Sequence, residues 1–232
     1  MKKIFAIISL AVLLTCFAAC KSAGDTLAFD GATAFGEGRY TDAIALLTEA
    51  DEKGLSTYKQ FELDLMLAEC YLKTGQYDKT IAICDKVLTE NKLSGHFRAY
   101  NLKGLAQKYL GEYENALDSY LLAETLQNSV ADTAVLYNNI GNLYITLNMP
   151  LEALNYLSEA INLNPDFAES YGNTAIAYAI LFDFDSAEAA LADAEAKGYD
   201  KVAEVQEIID KYRGFDDYLA TSETEATTTT QY

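Results

Sequence analysis

Histidine is almost missing from this chain: His96 stands alone among 232 residues. A hydrolytic triad or a histidine base needs paired groups within hydrogen-bond reach, and no Gly-x-Ser-x-Gly string supplies a nucleophile. Cysteine is scarce as well. Of four, only Cys70 and Cys84 lie beyond the first twenty residues, and with one histidine they do not compose a zinc site. Both stand among apolar neighbours and read as small buried core residues, a disulfide being the alternative. Basic residues are the third shortage, 17 Lys and Arg against 35 Asp and Glu. Nucleic-acid binding needs clustered cations on phosphates, so this balance argues against it. It argues equally against adsorption to anionic lipid through a basic patch. With no convincing strand there is no place for a phosphate-binding loop between strand and helix. The carboxylate pairs Asp216/Asp217 and Glu223/Glu225 lack the spacing of a calcium loop. No catalytic residue, metal ligand or cofactor is assigned.

Long apolar runs are also lacking, with one exception at the start. Residues 4–19 form a 16-residue apolar run behind Lys2 and Lys3, shorter than the roughly 18–20 residues that span a bilayer. It closes Phe17-Ala18-Ala19-Cys20, which resembles the bacterial lipobox. The expectation is a signal peptide over 1–19, a lipidated Cys20 and a tether over 20–24, with membrane attachment through lipid only. A plain secretory leader is the alternative. Loss of the leader leaves 35 acids against 15 bases, a net −20. The protein would then sit in a bacterial cell envelope, its globular part outside the cytoplasm.

What is abundant is one short string. It reads Gly38-Arg39-Tyr40-Thr41-Asp42-Ala43, then Gly75-Gln76-Tyr77-Asp78-Lys79-Thr80, then Gly111-Glu112-Tyr113-Glu114-Asn115-Ala116. Weaker copies start at Asn148 and Phe182, so successive copies lie 37, 36, 37 and 34 residues apart. A fixed period in this range marks a stack of equal supersecondary units. Seven residues before each copy stands Gly31, Ala68, Gly104, Gly141 or Ala175. Past each turn, Ala43, Thr80, Ala116, Ala153 and Ala187 are followed four residues on by Leu47, Cys84, Tyr120, Leu157 and Leu191. Those spacings put each set on one helical stripe. Small residues let two antiparallel helices approach closely, and a turn-start glycine suits a left-handed helix C-terminus.

The small–large pattern with its Gly-x-Tyr-x-x-Ala turn resembles the tetratricopeptide repeat. The resemblance implies an all-α, right-handed superhelical solenoid of about five helix pairs over 25–213. Its last part would be a capping helix over about 200–212, stopped by Gly214, with a disordered Thr-rich acidic tail over 214–232. It further implies a non-catalytic scaffold or adaptor that takes a protein or extended peptide segment in a concave groove lined by the first helix of each pair. Residues flanking the packing stripe there are Lys73, Arg98, Asn101, Lys108, Tyr109, Asn138, Asn139, Asn142 and Asn173. Asparagine offers donor and acceptor together and so can pair with peptide groups of any sequence. Asn139 and Asn173 hold equivalent places, resembling a short asparagine ladder; solvated surface amides are the alternative reading. Self-association into a homo-oligomer, as a structural envelope lipoprotein, is the alternative function.

Overall fold

The structure, a computed structural model, describes residues 22–89, 95–126 and 129–229, with side chains to residue 216. Among the described residues there are eleven helices and no strand: α1 (Ala23–Gly36), α2 (Tyr40–Lys53), α3 (Gln60–Lys73), α4 (Tyr77–Thr89), α5 (His96–Tyr109), α6 (Tyr113–Glu124), α7 (Val130–Thr146), α8 (Pro150–Leu163), α9 (Ala168–Ile180), α10 (Phe184–Ala196) and α11 (Val202–Thr229). The chain divides into two compact units, Met1–Glu112 and Tyr113–Tyr232. The cut falls within the third turn string, so α5 belongs to the first unit and α6 to the second.

Every turn string builds the same helix stop. Gly38, Gly75 and Gly111 have φ of 74°, 74° and 80°. In each, the next residue's N–H reaches back to the last helical turn: Arg39 to Ala34 O at 2.9 Å, Gln76 to Tyr71 O at 2.8 Å, Glu112 to Gln107 O at 2.9 Å. This is the left-handed cap that consumes otherwise orphaned carbonyls. Asn148 and Phe182 repeat it without glycine, at φ 57° and 60°, through Met149 to Tyr144 O and Asp183 to Tyr178 O. Asparagine tolerates that conformation; for a bulky residue it costs about 1–2 kcal/mol.

In the first unit α1 packs on α2, α3 on α4, and the first helices α1, α3 and α5 lie side by side. A Cβ on Gly31 would fall 2.8 Å from the Leu47 side chain, so the expected close crossing is present. Cys70 and Cys84 are free thiols in this core. Burial pushes Cys70 up to about 11 and Cys84 up to about 12, as a small apolar role requires. In the first turn of α1 stands Asp25, a buried carboxylate that closes a capping box with Ser22. It also accepts the Ser56 hydroxyl and the backbone N–H groups of Ser56, Thr57 and Tyr58. The Ser56 hydroxyl and those N–H groups outweigh burial and hold the acid far below the usual carboxylate range.

In the second unit α7 pairs with α8, α9 with α10, and α7 lies against α9. Gly141 lets Leu157 seat against α7, a Cβ there falling 2.6 Å from its side chain. Val205 and Ile209 of α11 cover α9 and α10, as a solenoid end requires. The helix does not stop at Gly214: α11 continues to Thr229, where the sequence pattern predicts a disordered tail. One helical glycine costs only about 1 kcal/mol, and the next residue is anchored, Phe215 stacking on Phe182 at 6.3 Å. Tyr212 meets the same ring at 6.1 Å.

Candidate partner-binding faces

In the first unit the expected residues come from α3 and α5. Arg98 pairs with Glu69 across these helices, so its charge is partly spent within the fold. Asn101 is buried and lies in the helix interface rather than on a free surface. Lys73, in the last turn of α3, is exposed. Tyr109 is 58% exposed, yet it is held: its ring stacks on Tyr77 at 5.1 Å and 13°. Lys108 lies 5.9 Å over the same ring, and burial lowers its ammonium below the ordinary lysine value. The exposed end of this face is therefore an aromatic pair with a cation already beside it.

The second unit is different in kind. Asn138 and Asn173 are buried and bonded to each other across α7 and α9. Asn138 Oδ1 accepts from Asn173 Nδ2 at 2.9 Å and from Ser170 Oγ at 3.1 Å, and Asn173 Oδ1 accepts from Asn142 Nδ2 at 2.9 Å. Buried amides are retained only when partnered, and these partners are internal. The expected Asn139/Asn173 ladder is thus not the arrangement formed; Asn173 joins Asn138 and Asn142 in a helix-bridging chain. Asn139 and Asn142 remain partly exposed at its edge.

Sequence reasoning missed a second group in this unit, because Tyr144 reads there as packing alone. Tyr144 stacks on Tyr156 at 5.7 Å and 22°, and Tyr137 meets Tyr156 edge-on at 5.7 Å. All three are partly exposed. Glu124 accepts a hydrogen bond from the Tyr137 hydroxyl, and burial with the Glu124 charge raises the Tyr137 and Tyr156 phenols. The available signal was an absence: between Tyr109 and Ala196 there are 14 carboxylates and no Lys or Arg.

Two family models described as tetratricopeptide repeat match the chain, one over residues 34–103, the other over 97–129 and again over 134–167. Among curated proteins, the chain is 30% identical over 131 residues to the photosystem I assembly protein Ycf3 of Rippkaea orientalis, covering 55% of this chain and 75% of that protein. It is 32% identical over 119 residues to Ycf3 of Synechococcus elongatus, covering 51% and 68%. Among solved structures, a thermophilic tetratricopeptide-repeat protein of Thermus thermophilus superposes with a TM-score of 0.65 at 20% identity, over 82% of this chain and 98% of that one. MamA superposes at 0.57 and 22% identity, over 78% and 97%. These structures speak to the fold alone.

The envelope localisation does not stand. The curated relatives are by name photosystem I assembly proteins, not envelope lipoproteins. The leader reading rested on a local string of about twenty residues, whereas the match to these relatives extends over 131. Cys20 and the expected leader over 1–19 lie outside the described residues. No described helix is long and apolar enough to cross a membrane.

Proposed function

The chain belongs to the tetratricopeptide-repeat family, and from that premise we propose that it is a non-catalytic scaffold that holds a segment of a protein partner against the first helices of its repeats. The relatives named for photosystem I assembly support an assembly role, in which a partner is held and handed on without covalent chemistry. The observation that carries the reading is the division of labour along each helix pair. The second helices spend their small and aliphatic stripe on packing, with Leu47, Cys84 and Leu157 fully buried. The first helices keep mixed polar and aromatic positions, Lys73, Tyr109, Asn139 and Asn142, at least partly open.

A photo-crosslinking residue placed singly at Lys73, Tyr109, Asn139 or Asn142 tests this, with the exposed Glu49 and Ala192 on second helices as comparison sites. The expected result is adducts of one mass from the first-helix positions and none from the comparison sites. Equal adducts from both sets, or a stable dimer that removes the first-helix adducts, would overturn the reading.

A further inference from the structure

Several partly exposed rings in this protein have a cation against them. Lys79 lies 5.0 Å over Tyr71, Lys197 5.0 Å over Tyr171, Arg213 5.1 Å over Phe184 and Lys59 5.6 Å over Phe61. The Tyr137/Tyr144/Tyr156 group stands in different surroundings. No Lys or Arg occurs from Tyr109 to Ala196, and what faces the rings is anionic, Glu124 at Tyr137 and Tyr156, and Glu159 at Tyr137.

Glu124 is also in the wrong place for helix stability. It is the last residue of α6, with no base in that turn, and the helix dipole disfavours a negative charge there. The Tyr137 hydroxyl relieves this only in part, because a carboxylate has about four acceptor sites. Ring faces and carboxylates together are the chemistry that takes up a guanidinium or ammonium group.

We propose that the Tyr137–Tyr144–Tyr156 surface, with Glu124 and Glu159, docks an Arg- or Lys-bearing segment of the protein partner. Charge complementarity selects that occupant: the second unit holds 21 acids against 4 bases, so an acidic segment is repelled before it arrives. The proposal rests on the scaffold reading only for the source of the cation; the site's preference for cations stands or falls separately.

The test uses the full chain and a fluorescent capped peptide of alternating glycine and arginine, with its glycine–glutamine counterpart as control. Anisotropy should show saturable binding of the arginine peptide, weakened by salt, and none of the glutamine peptide. Glu124→Gln with Glu159→Gln, both exposed sites, should weaken binding roughly tenfold or more. Asp193→Asn with Glu195→Gln removes the same charge elsewhere in the unit and should leave binding nearly unchanged. Equal weakening by both pairs would reduce the effect to diffuse attraction and overturn the site. Tyr156→Leu should weaken the arginine peptide with unchanged helicity; full binding by that variant would remove the rings from the account. Spermidine competing at the peptide's own affinity, or dimerisation abolished by Glu124→Gln with Glu159→Gln, would assign the site to a polyamine or a second copy and overturn the partner segment. Loss of peptide binding in the Glu124/Glu159 variant with first-helix crosslinks unchanged would support this site while leaving the scaffold reading intact. Failure of the crosslinks alone would sink only the latter.

Discussion

The first unit nearly balances its charges, with 14 acids and 13 bases, while the second has 21 and 4 and so carries almost all of the net −18. The helix-pair architecture is the same in both. In the first, charges answer one another inside the fold: Arg98 with Glu69, Lys103 with Asp85 at 2.6 Å, Lys86 with the buried Asp64 at 2.9 Å. In the second, α7 and α9 are bridged by neutral amides and a serine, and ion pairs among the described residues are few, Arg213 with Glu188 at 2.5 Å and Lys197 with Asp166 at 3.4 Å, so most carboxylates have no base to answer them. One repeat thus accommodates two balances, near-equal charge with ion pairs across helices and scarce bases with an amide bridge, and only the second leaves a surplus of one sign for a partner.

The comparison can be broken hardest in the cores. Leu157→Ala should destabilise by about 2–5 kcal/mol, and Leu47→Ala by a similar amount, because both are fully buried against a glycine-bearing helix. Hydrogen exchange should show the loss concentrated in residues 113–229 for the first and in 22–112 for the second. Uniform loss would mean that the units do not act separately in stability.

Asn173→Ala comes next. It removes one of the two donors to Asn138 Oδ1 and the Oδ1 that accepts from Asn142 Nδ2, for about 1–3 kcal/mol in urea unfolding; a neutral result would return these amides to ordinary surface groups. Gly75→Ala should cost about 1–2 kcal/mol, since the cap needs φ near +74°. Asn148→Ala, at the corresponding turn of the second unit, should cost less, because asparagine already bears part of that strain.

The mildest effect in the neutral range is a pH response in the first unit. Asp25 has a folded value below its unfolded one, so its stabilisation is present above the unfolded value of about 3.9. It is lost as pH falls below that toward the folded value. Asp25→Asn should lower the melting temperature at pH 7, and the gap from the parent should close only below about pH 4. A gap that closes by pH 6 would contradict the hydrogen-bond cradle drawn around this acid.

These particulars also mark how far sequence reasoning reaches. The turn string located the helix pairs because its signal is local: Gly38, Gly75 and Gly111 each stand where a Cβ is disfavoured, and even Asn148 and Phe182 keep the register. Gly31 and Gly141 were legible for the same reason, each having a large partner at a constant offset. The amide chain was not. Asn138, Asn142 and Asn173 look alike to a helical wheel whether they face water or one another, and their partners lie more than thirty residues away. Arg98 was misjudged likewise, because Glu69 is adjacent only through packing of α3 on α5. The extension of α11 past Gly214 depends on Phe215 finding Phe182, a tertiary contact that outweighs one weak helix former. The tyrosine group went unseen because its mark is a missing charge spread over 88 residues.

Carbon-detected NMR of labelled tyrosines in the full chain tests the central contrast most directly. On titration with the glycine–arginine peptide, the account predicts shifts at Tyr137, Tyr144 and Tyr156 with Tyr77 and Tyr109, already beside Lys108, unmoved. Shifts at the Tyr77/Tyr109 pair, or at no tyrosine of the second unit, would contradict it.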